Sequence, residues 1–224
     1  GKRRLNNLGW SDVIPAPRVT GYPTEKPVSL LRALIENSSA PGDLVIDIGS
    51  NDGLLLGYLK QRHAAAVLGI DPAANLARVA ETRGVPTETA FFDQQVGLRR
   101  AGTARVVTAT NCLAHTPHLR SFLRGVAAML MDNGVFVAEF PYVWRLIDGC
   151  LWDTVYHEHQ SYLGLQALVS HLPELGLYAV DAEIVEVHGG SVRLWAWPRW
   201  RKRTARLETL LVAERQRYPT APVS

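Results

Sequence analysis

From residue 44 onward, short apolar runs alternate with stretches of helical period. Runs at 44–48, 66–70, 86–89, 105–110 and 134–140 read as strands, each too short for a helix, three of them closed by Gly49, Asp71 and Pro141. Amphipathic stretches at 54–62, 73–83, about 119–131 and 161–171 read as the helices between and after them. Two β-branched, apolar runs at 178–187 and 191–197 meet at His188-Gly189-Gly190, a hairpin signal. Five βα units and an antiparallel pair predict an α/β fold, Rossmann-like, with a seven-stranded, mostly parallel sheet and a C-terminal antiparallel hairpin. Right-handed crossovers would then open a ligand crevice at the carboxyl ends of the first and fourth strands. Residues 1–43 differ: they are polar, with prolines at 15, 17, 23, 27 and 41. There 28–37 reads as one helix, with Leu30, Leu31, Leu34 and Ile35 on a face. The expected organisation is a lead-in over 1–43, a catalytic domain over 44–198 and a basic tail over 199–224.

The densest signal is the stretch LVIDIGSNDG at 44–53. A strand ending in Asp47 enters a tight turn at Gly49-Ser50-Asn51-Asp52-Gly53, whose glycines allow the backbone close to a ligand. The dinucleotide fingerprint wants glycine where Asn51 stands, because a pyrophosphate must touch the main chain; this disfavours NAD. An acid offering oxygens to a cationic ligand instead suits the amino-acid part of S-adenosylmethionine. A second acid, Asp71, closes the next strand 24 positions after Asp47, where it can take ribose hydroxyls; Pro72 then stops that strand. The alternatives are a sharp strand–helix turn without a ligand and, for Asp71, a helix N-cap.

Composition narrows this little. Hydrophobic residues make up 47% and net charge is +3, so nothing global points to nucleic acid or a membrane surface. Cys112 and Cys150 are too few for a disulfide framework or a cysteine zinc site, which suits a reducing, cytoplasmic setting. No apolar run approaches a membrane span and no signal peptide is evident. The chain starts at Gly1, so a fragment or processed form is expected.

Four clusters are expected at the crevice: Asn111-Cys112-Leu113-Ala114-His115, Glu139-Phe140-Pro141-Tyr142, 153–159 (DTVYHEH) and 188–193 (HGGSVR). Histidines and tyrosines together suit proton transfer, since imidazole titrates near neutrality. A zinc site on His115, His118, His157 and His159 is conceivable, but the His-Glu-His spacing is not that of the helical metalloprotease motif, and no metal is expected. His63, His118 and His171 read as surface residues, and Glu139 as a buried acid beside a backbone donor. Trp195, Trp197 and Trp200 with Arg199, Arg201, Lys202, Arg203 and Arg206 could stack on nucleic acid. The favoured reading is a strand with alternating tryptophans and a final helix whose Leu207, Leu210 and Leu211 face inward, or are left to mediate self-association in a homo-oligomer.

Together IDIGSNDGLLL, GIDPAANLA, Phe91-Phe92, NCLAHTPHL, GVFVAEFPY, WDTVYHEHQSY and VHGGSVR resemble the sugar C-methyltransferase family over about 44–215. The resemblance implies a class I methyltransferase fold with S-adenosylmethionine as cofactor. Its substrate would be a nucleotide-linked keto-deoxysugar of antibiotic biosynthesis. A base would remove the proton beside the ketone, and the enolate would attack the methyl group. The implied active-site positions are His115, Tyr156, Glu158 and His159: His159 as base, Glu158 holding its tautomer, His115 and Tyr156 steadying the oxyanion. The expected cofactor contacts are Asp47, Gly49, Ser50, Asn51, Gly53, Asp71, Pro72, Phe92 and Asn111. The family's four-cysteine zinc segment and its C-terminal domain have no counterpart in these 224 residues, and both help hold the nucleotide sugar. Residues about 10–47, with GYPTEKP at 21–27, are similar to the lead-in of DNA amino-methyltransferases, although the Pro-Pro-aromatic loop that grips a flipped base is missing. Three readings stay open: a small-molecule C-methyltransferase, a nucleic-acid methyltransferase, and a non-catalytic cofactor-binding protein.

Overall fold

The computed structural model describes residues 42–63 and 66–218. The helix expected at 28–37 and the DNA-methyltransferase-like lead-in lie outside the described residues. One seven-stranded sheet runs in the order β3-β2-β1-β4-β5-β7-β6. Its strands are β1 (Leu44–Ile48), β2 (Ala66–Asp71), β3 (Thr87–Thr89), β4 (Ala104–Thr110), β5 (Leu130–Pro141), β6 (Tyr178–Val185) and β7 (Ser191–Trp197). The first five pair in parallel; β7 runs antiparallel to both β5 and β6. The helices are α1 (Leu54–His63), α2 (Ala74–Thr82), α3 (Gln94–Leu98), α4 (Leu119–Met129), α5 (Val143–Asp148), α6 (Leu165–His171) and α7 (Ala205–Arg217).

Period-two alternation sends each strand's side chains into two separate cores. Ile46, Ile48, Phe136, Ala138, Phe140, Val192 and Leu194 pack on one face with Leu123 and Met129 of α4. Val45, Val135, Val137 and Trp195 pack on the other with Leu55, Leu56 and Leu59 of α1. With both faces covered, the central strands read as near-continuous apolar runs. Each fully buried Leu, Ile or Phe contributes about 1.5–3 kcal/mol by leaving water. The chain proceeds outward from β1 through β2 to β3, then returns to place β4 on the other side of β1. The crevice at the carboxyl ends of β1 and β4 follows from that reversal.

Several boundaries differ from the sequence expectation. The helix expected at 161–171 begins only at Leu165, because Leu163 makes an isolated parallel bridge with Tyr142 and Gly164 is extended. The helix expected to reach 131 ends at Met129, where Leu130 turns extended and opens β5. Two short helices were not expected. α3 is capped by Asp93, whose side chain accepts from Val96 N at 2.9 Å. α5 follows directly on Tyr142. At the C-terminus Thr204 caps α7, accepting from Leu207 N at 3.2 Å. Leu207 and Leu211 enter the main core and Leu210 packs on it, so the apolar face considered for self-association is spent within the fold. The basic stretch is largely neutralised in place. Arg199 pairs with Asp132, Arg203 with Glu208, and Arg206 with Asp181 and Glu183. Among the described residues no helix is long and apolar enough to cross a membrane.

Candidate active site

The strand tips enclose an open cavity of about 550 Å³. Its first wall is the turn after β1 with the end of β2. Gly49 adopts φ +70°, and a Cβ there would lie 3.0 Å from the Cβ of Cys112, so the turn can approach the β4 loop only with glycine. Asn51 is also left-handed, with φ +52°. Its N–H donates to Asp71 Oδ2 at 2.9 Å, and Ala73 N–H donates to Oδ1 at 2.9 Å. These two bonds fix a carboxylate that is only 5% exposed, with further lone pairs toward the cavity it lines. Pro72 and Leu76 complete this wall.

Three of the expected cofactor residues lie beneath the turn and do not line the cavity. Asp47 is fully buried and accepts from Thr108 Oγ1 at 2.7 Å. Ser50 is 1% exposed and lies over β2 at Gly69. Gly53, at φ +71°, abuts Ala80, 2.7 Å from where its Cβ would be. In this structure each side chain or Cα faces packed protein, where it supports the turn. Phe92 likewise meets Phe122 edge-on at 4.9 Å and does not line the cavity.

The floor is the β4 loop. Asn111 has φ +55°, and its N–H donates to Glu139 O at 2.7 Å. Asn111 lines the cavity, and its side-chain Oδ1 is buried and takes no hydrogen bond among the described residues. A buried acceptor left this way costs about 1–3 kcal/mol until a donor reaches it. The alkylammonium or hydroxyl groups of S-adenosylmethionine are donors of that kind, so Asn111, Asp71 and the glycine turn fit this cofactor.

The far wall is segment 150–161, tied down where Gln160 N and Ser161 N both donate to Ala114 O, at 2.7 and 3.2 Å. It carries His159, whose Nδ1 lies 2.8 Å from Thr154 O, and Tyr156, whose ring centroid is 4.4 Å from that of His159. His115 stands 5.0 Å from His159, ring to ring, with Nδ1 at 3.0 Å from Glu158 O. A carbonyl only accepts, so both imidazoles carry hydrogen on Nδ1 and a lone pair on Nε2 when neutral. The expectation that the Glu158 side chain holds His159 is therefore corrected. Thr154's carbonyl holds His159, Glu158's carbonyl holds His115, and the Glu158 carboxylate is exposed 4.0 Å from His157 Nε2. Nothing in a side-chain pattern foretells a main-chain carbonyl in that role. Among the described residues no group of three or more His, Cys, Asp or Glu is arranged to hold a metal ion.

Behind the far wall two buried acids fix the chain. Glu139 pairs with Arg193 at 2.8 Å, and Arg193 with Glu183 at 2.7 Å, a cross-strand ladder through β5, β7 and β6. Glu214 of α7 accepts from Tyr142 Oη at 2.6 Å and from the N–H groups of Leu165 and Gln166 at 3.1 Å. Burial, then the bond to Glu214, pushes the Tyr142 hydroxyl well above its ordinary pKa.

Comparison with known proteins agrees with this geometry. Residues 24–182 match a family model described as a methyltransferase domain. The chain is 42% identical over 160 residues to the C-methyltransferase NovU of Streptomyces niveus, covering 70% of this chain and 38% of that one. It is 27% identical over 176 residues to sphingolipid C9-methyltransferase A of Emericella nidulans, covering 71% and 34%. The chain thus spans between a third and two-fifths of the length of these curated relatives. Its fold resembles magnesium protoporphyrin IX methyltransferase from Synechocystis PCC 6803 with bound S-adenosylhomocysteine (TM-score 0.59, 16% identity, 79% of this chain and 81% of that one). It also resembles an S-adenosylmethionine-dependent methyltransferase from Mesorhizobium loti (TM-score 0.59, 14% identity, 74% and 96%).

Proposed function

This chain belongs to the methyltransferase-domain family, and from that premise we propose that it is an S-adenosylmethionine-dependent C-methyltransferase acting on a small keto-sugar-like acceptor. The observation that carries the reading is His159, its Nδ1–H spent on Thr154 O and its Nε2 lone pair left as a base, in the same cavity as Asp71 and Asn111. Two relatives named for carbon methylation support carbon as the target.

Asp71, Asn111 and the turn at 49–51 would hold S-adenosylmethionine, which when bound would supply an electrophilic methyl group. The chain's part is to make carbon nucleophilic. His159 Nε2 takes the proton from the carbon beside a ketone, leaving an enolate. Tyr156 donates its hydroxyl hydrogen bond to the oxygen where charge develops. His115 can share that work only as imidazolium, because its neutral form turns a lone pair outward. Segment 150–161 carries both side chains on the cavity wall, which sets base and donor beside one another. The nucleic-acid reading gains no support, since most of the tail arginines are already paired.

Calorimetric titration with S-adenosylmethionine and S-adenosylhomocysteine tests the cofactor assignment. Deuterium exchange at the carbon beside the ketone of a thymidine-diphosphate-linked 4-keto-6-deoxyhexose then tests the base. His159→Ala is expected to slow exchange by about 10²–10⁴-fold with cofactor affinity unchanged. Exchange that survives the substitution removes His159 from the role. Cofactor binding without exchange in the wild type favours a non-catalytic protein.

A further inference from the structure

The turn between β6 and β7 carries a third imidazole into the same cavity. His188 lines it and holds φ +52°, a left-handed conformation that residues other than glycine adopt rarely, Asn, Asp and His most often among them. Only four non-glycine residues among those described have positive φ, and three of them, Asn51, Asn111 and His188, line this one cavity. The turn is closely packed at its glycines. A Cβ on Gly189 would strike Leu151, and one on Gly190 would lie 2.7 Å from Arg145 Cγ. Gly190 O accepts from Tyr142 N at 3.1 Å, which ties the turn to the end of β5. His188 is thus the one residue of the turn with a side chain to aim.

Its chemistry differs from that of the other two imidazoles. His115 and His159 each have Nδ1 fixed on a carbonyl, which commits Nε2 to accepting. Among the described residues, the His188 ring takes no protein hydrogen bond, so either nitrogen can donate. A ring free to choose its tautomer suits recognition of a ligand oxygen better than directed proton abstraction. Position assigns the ligand. Asp71 ends β2, and His188 precedes β7, four strand spacings away across β1, β4 and β5. At about 4.8 Å per spacing that is about 19 Å. The donor half of the cavity lies at Asp71, so His188 stands at the acceptor end.

We propose that His188 is an acceptor-binding residue, donating a hydrogen bond to an oxygen of the methyl acceptor from a turn held in a strained conformation to aim it. The inference rests on the C-methyltransferase reading above for the identity of the acceptor. The test is calorimetry on the chain loaded with S-adenosylhomocysteine, titrated with the thymidine-diphosphate-linked 4-keto-6-deoxyhexose. His188→Gly relieves the backbone, so its melting temperature should hold or rise. Probe affinity should nevertheless fall about tenfold, or more, with S-adenosylhomocysteine affinity within about twofold of wild type. His188→Asn, which tolerates φ +52° and keeps a donor, should recover most of the loss. Wild-type affinity retained by His188→Gly overturns the role of His188 and leaves the C-methyltransferase reading standing. A wild type that binds no probe overturns the keto-sugar acceptor and this inference with it.

Discussion

Replacing Glu214 by alanine should be among the most damaging single changes outside the cavity. Glu214 is 6% exposed, and its carboxylate is the acceptor for three donors on two other elements. Two are the first N–H groups of α6, which have no partner within their own helix and sit where a negative charge is favoured. The third is the Tyr142 hydroxyl, at the end of β5 beside Pro141 of the cavity wall. A hydrogen bond to a charged group is worth about 1.5–3 kcal/mol, and bonds sharing one acceptor do not add in full. Truncation should therefore cost about 3–5 kcal/mol, a large share of the 5–15 kcal/mol typical of a domain. Glu214→Gln keeps one oxygen but turns an amide N–H toward a backbone N–H, and should cost about half as much. Urea unfolding followed by circular dichroism would show the midpoint falling at constant slope. A loss below about 1 kcal/mol for the alanine variant would refute the view that this carboxylate fastens α7 to α6 and β5.

Three further outcomes are expected. Gly53→Ala should destabilise by about 2–4 kcal/mol, combining positive φ with a clash on Ala80, whereas Gly102→Ala, at φ +65° with nothing within 4 Å, should cost only about 1–2 kcal/mol; parallel melts separate strain from clash. Asp71→Asn sets an amide against the N–H of Asn51 or Ala73 and should weaken S-adenosylhomocysteine binding by about tenfold or more in calorimetry. Because the Tyr142 pKa is raised in the folded state, its contribution is full below its ordinary value of 10.0 and is lost as pH climbs above it; Tyr142→Phe should flatten stability-versus-pH melts in that alkaline range.

The sheet was legible because its central strands are buried on both faces and several are bounded by glycine, proline or aspartate, signals that survive without tertiary knowledge. The hairpin was legible from His188-Gly189-Gly190. Boundaries failed where a distant contact overrode local preference. Leu163 bridges Tyr142 before α6 can start, and α6 takes its N-terminal partner from Glu214, 49 positions along the chain. At the site, residue types pointed to loops that line one cavity, but direction of side chains did not follow. Asp47 sits one residue inside the end of β1, where the pleat turns it onto Thr108, whereas Asp71 closes β2. Glu158 sits beside His159 in sequence, yet only its carbonyl does any holding, and for His115.

The two ends of the cavity come from separate stretches of chain. Residues 49–76 build the end around Asp71, 141–188 build the end around His159 and His188, and the β4 loop at 110–115 floors both. Changes in the second stretch can therefore accumulate without disturbing the first. A lineage with this plan could diversify what it modifies while inheriting, unaltered, the means of loading its reagent.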